Sequence, residues 1–152
     1  MTDQAIHYQC LVAVHSTIAG LGLDGLAVDR VYKRKVLTDR NTVLQFVQVF
    51  FPPLAETDLG GTTGEDDFGY PVGVAVVDGD DADYELTEEQ AKPVWWKQRI
   101  RGAFHAKRLQ GVPVSFYCLW EPAPVIDMGL WQTANIWVSG GIIRCVTRER
   151  RP

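Results

Sequence analysis

No lysine or arginine occurs between residues 41 and 91, a stretch that carries 12 Asp and Glu. With a formal net charge of -4 over 152 residues, that gap argues against non-specific affinity for nucleic acid. Cysteine is scarce as well. Cys10, Cys118 and Cys145 are an odd number without CxxC spacing, each in an apolar neighbourhood. Reduced, buried thiols are therefore expected, rather than a disulfide framework or a zinc site. No apolar run approaches the ~20 residues that span a bilayer. Met1–Gln4 opens without the basic region and apolar core of a secretory signal. No membrane partner is expected.

What is present is an ordinary globular composition, 46% hydrophobic and 22% charged, with 14 Gly and 8 Pro. A chain of this length can bury roughly 68–70% of its unfolded surface, so one domain needs no metal or disulfide to hold a core. The charge is polarised along the sequence, so acid and base are expected on different surfaces of the subunit. Residues 92–152 hold ten Lys and Arg against three acids, whereas residues 1–40 are nearly balanced. Trp120, Trp131 and Trp137 near the final strands exceed what one small core needs, and buried Trp anchors at a subunit interface would use the excess.

Hydrophobic spacing at Ile6, Cys10, Leu11, Val14, Ile18 and Leu21 predicts a helix over 3–20, capped by Thr2 or Asp3 and stopped at Gly20 or Gly22. Val28 to Leu37 reads as a strand with a cationic face. Val43 to Phe51 reads as a buried central strand ended by Pro52-Pro53. Residues 54–69 read as a long, flexible acidic loop. A strand over 70–77 and a second acidic loop over 78–85 follow. Thr87-Glu88-Glu89-Gln90 matches a capping box, and Pro93 puts the start of the regular helix near 91–93. Val94, Trp96, Ile100, Ala103 and Phe104 are expected on its buried face. Strands over 114–120 and 134–147 complete the order α-β-β-β-α-β-β, with a bulge or bend at Gly140-Gly141. The expected class is α+β, a mainly antiparallel sheet with two helices on one face, in a single domain over 1–147 with a frayed basic tail over 148–152.

No constellation calls for catalysis, a cofactor or a metal. His7 and His15 on the first helix lack further converging ligands and read as packing or surface residues. Asp78, Asp80 and Glu89 match three positions of a calcium loop, but Asp83 stands where the turn needs glycine. Gly60-Gly61-Thr62-Thr63-Gly64 has no following lysine and is flanked by acids, so it is no phosphate cradle. His105 is explained by contact with a helix C-terminus. The basic residues Arg30, Lys33, Arg34, Lys35, Arg40, Arg144, Arg148, Arg150 and Arg151 lack an interleaved stacking platform and read as a solvated face or one side of a protein interface.

Several segments resemble the tail-terminator and head–tail-joining proteins of long-tailed bacteriophages: Leu21-Gly22-Leu23-x-Gly25, Asp66-Asp67-x-Gly69-Tyr70-Pro71-Val72, Arg99-Ile100-Arg101-x-Ala103-Phe104-His105, Glu121-Pro122 and Arg144-x-x-x-Arg148-Glu149. The resemblance implies a structural virion protein without enzymatic activity, assembled in the host cytoplasm. It would form a ring, usually of six subunits, that caps the tail tube and joins it to the head connector. DNA would pass through the lumen without sequence-specific contact. Glu65, Asp66 and Asp67 are the expected lumen-facing acids, because free carboxylates repel a duplex. Lys33, Lys35, Trp131, Trp137, Arg148 and Arg150 are the expected contacts with subunits or partners. A stopper or adaptor protein is the nearest alternative, and a small enzyme or host-interaction protein a more distant one.

Overall fold

The computed structural model describes residues 5–34, 45–79, 87–122 and 136–151. Helix α1 spans Ile6–Ala19 and buries Cys10, Leu11, Val14 and Ile18. Its N-cap position is Ala5, which offers no side-chain acceptor; Thr2 and Asp3, the expected caps, lie outside the described residues. Gly20 ends the helix, and Gly22 and Gly25 then take positive φ angles of 61° and 77° to turn the chain. A short 3-10 turn over Val28–Arg30 feeds β1, Val31–Lys33.

Strand β2 (Phe46–Phe50) pairs parallel with β1 and antiparallel with β4 (Glu65–Gly79). Strand β3 (Thr57–Gly61) joins the same edge of β4 beyond β2. Between the two, residues 51–56 are set against only 70–72 of β4, since Phe50 faces Gly73 and Thr57 faces Gly69. Pro52 and Pro53 have no N–H to give a ladder, so the chain leaves the sheet there and returns four residues later. Helix α2 is Glu88–Phe104, β5 is Ser115–Pro122 and β6 is Ile136–Arg150. The sheet runs β1-β2-β4-β6-β5 with β3 attached to β4, six strands in a mixed, mostly antiparallel arrangement. The class is α+β, as expected from the sequence.

Alternation sorts the strands into two faces. Val47 and Val49, Tyr70, Val72, Val74 and Val76, Ile143 and Cys145, and Cys118 form one core with α1 and with Trp96, Ile100 and Phe104 of α2. Both helices thus lie on one face. Burying each large α2 side chain contributes roughly 1.5–3 kcal/mol, and Trp96 adds an indole N–H bond to the Asp24 carbonyl at 2.7 Å. Phe46, Ala75, Val77 and Val138 form a smaller cluster on the other face.

Several expectations need correction. Residues 54–69 do not form a loop: 57–61 and the start of β4 make a β-hairpin around residues 62–64. Acids and glycines hide a strand from a propensity reading, but the pairing on both sides of β4 supplies the order they lack. The tail is not frayed through 148–150, which pair with Glu65–Asp67 as the end of β6. Helix α2 begins at 88, ahead of Pro93, which is buried inside it. Val94 is 55% exposed, because it lies about 200° around the axis from Trp96. Gly140-Gly141 causes no register shift against β4. A Cβ on Gly140 would lie 1.8 Å from the Val74 carbonyl oxygen, and one on Gly141 would lie 2.3 Å from the Trp120 ring. Those glycines permit close approach, not a bulge.

Candidate functional site

The charged end of the sheet comes first. Glu65, Asp66 and Asp67 open β4 and stand in register with Arg150, Glu149 and Arg148 of β6. Arg148 makes a bidentate bond with Asp67, 2.9 and 3.0 Å, and its guanidinium carbon lies 4.7 Å from the centre of the Phe116 ring. Phe116 is turned out by the irregularity in β5 between Ser115 and Tyr117. Arg151 grips Asp66 in the same manner, at 2.8 and 2.6 Å. Those arginine bonds hold both carboxyls below the ordinary value of 3.8.

This corrects the expectation that the acids and the basic tail lie on different surfaces. They are cross-strand partners at one end of the sheet. Two of the five segments on which the phage resemblance rests, 66–72 and 144–149, pair here. Arg144 donates to both Glu121 oxygens at 2.7 and 3.2 Å, crosses β4 where Gly69 has no side chain, and reaches the Thr57 hydroxyl at 2.6 Å. One guanidinium therefore ties β6 to β5 and β3. On the opposite face, the Tyr70 hydroxyl donates to Glu149 at 2.8 Å, and Thr147 donates to the same oxygen at 2.7 Å. Burial, and then that bond to a carboxylate, push the Tyr70 phenol above its usual value.

Of the expected interface residues, Arg148 is engaged within the chain. Arg150 is exposed opposite Glu65, and Lys33 is exposed at the end of β1. Trp137 lies in β6 in register with Asp78. Lys35 and Trp131 lie outside the described residues, as does the 80–86 part of the calcium-loop comparison.

The histidines hold backbone. His7 Nε2 bonds the Pro71 carbonyl at 2.6 Å and His15 Nε2 the Val31 carbonyl at 2.8 Å, so each pins α1 to the sheet. His105 stands at the C-terminus of α2, as expected, but its side chain bonds β5 and not the helix end. Its Nδ1 accepts the Trp120 N–H at 3.2 Å, which leaves the ring proton on Nε2. Ala106 N–H and Lys107 carbonyl bond Cys118 on the same side of β5, with Ala106 at φ 58°. The segment after α2 thereby covers this part of the β5 edge. All three cysteines are free and buried. Cys118 faces Cys145 across the strands, and bonds with the Cys10 and Cys118 thiols, with burial, keep Cys145 protonated. No group of three His, Cys, Asp or Glu among the described residues is arranged to hold a metal ion.

Sequence reasoning missed a groove. Lys97 and Arg101, one turn apart on α2, and His105 just after its end line a cavity of about 660 Å³ with Val94, Gln98, Trp120 and Pro122. Lys97 Nζ donates to Ser139 Oγ at 3.0 Å. The signal in the sequence is a basic residue every fourth position, at 97, 101 and 105. No described helix is long and apolar enough to cross a membrane. No protein-family model matches the chain, and no curated protein matches it either.

Proposed function

We propose that this chain is a structural virion subunit of the tail-terminator type, assembling into a ring, of six copies by analogy, at the end of a phage tail tube. The single observation that carries the reading is the end of the sheet built by β3, β4 and β6. It is locked by Arg144, Arg148 and Arg151, and most of its β3 residues are exposed. A rigid, exposed β arm suits assembly more than it suits chemistry. Among the described residues, β1 and β3 have no strand on their outer side. Open edges of that kind need covering, and ring neighbours can provide it. Leu54, Leu59, Trp95 and Phe116 add exposed apolar surface.

In this reading the ring joins the tube to the head connector, and DNA passes through its lumen. The ion pairs change the part given to the acids. Asp66 and Asp67 stiffen the arm and offer little free negative charge to a duplex. A stopper or adaptor role would use the same arm, and the choice of partner separates the two. The test is to mix purified chain with isolated tail tubes and with head connectors, then image the products. Rings on tube ends support the terminator, rings on connectors alone support a stopper, and binding to neither defeats both.

A further inference from the structure

The α2 groove and the β3–β4 hairpin have opposite characters. The groove presents Lys97, Arg101 and His105 around the apolar surfaces of Val94, Trp120 and Pro122, with no carboxylate among its described lining residues. Arg101 is exposed and makes no ion pair among the described residues. At the hairpin, Arg148 and Arg151 are engaged by Asp67 and Asp66. That leaves Glu56 and Asp58, with Glu65 4.0 Å from the Arg148 that Asp67 already holds, outnumbering Arg150, beside Leu59, which is 47% exposed. Acid around an apolar side chain faces base around an apolar groove.

The two patches cannot meet within one chain. Pro122, at the groove, is in register with Gly141 of β6, whereas the hairpin acids stand opposite 148–150. Seven residues of strand from Gly141 to Arg148 span about 24 Å. A contact between two different patches on identical chains is heterologous, and it closes into a ring or runs on as a filament.

We infer that the hairpin tip of one copy, with Asp58, Leu59 and Glu65, docks in the Lys97–Arg101–Trp120 groove of the next. The inference deepens the assembly reading and rests on it for the ring. Leu59 meets Trp120 and Val94, while the carboxylates meet Arg101 and Lys97. Such charge complementarity fixes register and rejects the reversed pairing.

Charge reversal tests it in the full chain, with and without tail tubes, by light scattering and imaging. Variant one is Arg101→Glu; variant two is Asp58→Lys with Glu65→Lys. Neither is expected to assemble alone, and an equal mixture is expected to recover the wild-type assembly, because each reversed tip then fits a reversed groove. Leu59→Ser should weaken assembly at least tenfold in midpoint concentration without changing charge. Unchanged circular dichroism spectra establish that the variants fold. Assembly of either charge variant alone, no recovery on mixing, or a wild type that stays monomeric even with tubes would overturn the interface. Rings on tubes that ignore the reversals overturn it while leaving the terminator reading intact. Charge-dependent assembly that ignores tubes does the opposite.

Discussion

At the residue scale, the glycines of β6 and the arginines of the sheet end make opposite kinds of demand. Gly140 is needed because the Val74 carbonyl occupies the place of its Cβ, and backbone cannot step aside. Gly140→Ala is expected to cost about 1–3 kcal/mol or more, the usual range for overpacking. Urea unfolding checks this, and a loss below about 0.5 kcal/mol, the scale of an ordinary surface substitution, would refute the close approach. The carboxylates are a pH matter. Asp66 and Asp67 titrate below their ordinary value in the folded chain, so each contributes stability that is present above about 3.8 and lost as the pH falls through the folded value. Acid should therefore loosen the hairpin first. Amide exchange in 57–61 and 65–69, followed from pH 6 down to pH 3 and corrected for intrinsic rates, should rise ahead of exchange in 72–77. Asp67→Asn should remove part of that dependence. A uniform response along β4 would contradict the pairing.

At the element scale, the core was legible and the charged end was not. Period-four spacing located α1, and the dense apolar run ending in Pro52 located β2, because burial of one face leaves a direct mark on composition. Residues 57–69 carry no such mark. Their order comes from Arg144, Arg148 and Arg151, which follow more than 70 residues later, so no local window could reveal it. Helix α2 was placed by its hydrophobic residues, yet its start was set too late, since Pro93 was given more weight than Thr87, whose carbonyl accepts the Ala91 N–H. The groove was missed for a related reason: Lys97, Arg101 and His105 acquire a site only when Trp120 arrives from β5. Removing residues 148–152 tests the hairpin as an element. The truncated chain is expected to keep its helix content while amides of 57–61 lose most of their protection. Full protection without the tail would mean that β3 holds by its backbone ladder alone.

At the scale of the whole molecule, one face of the sheet is closed by two helices, and one end projects as a paired, charged arm. Sequence distance had suggested acid on one surface and base on another. In the fold the two meet across strands, and the polarity that survives is subtler: Glu56, Asp58 and Glu65 at the arm against Lys97 and Arg101 on α2. That arrangement suits a subunit built to meet its own copies. Assembly should weaken with salt if the proposed contact, electrostatic at its rim, is the one used. A tenfold rise in ionic strength should shift the midpoint concentration upward, and indifference to salt would point to an apolar interface elsewhere. The most direct test of the assembly claim is the mass and image of the purified chain mixed with isolated tail tubes. The account predicts closed rings of this chain on tube ends; tubes left bare beside a monomeric chain at every concentration tried would contradict it.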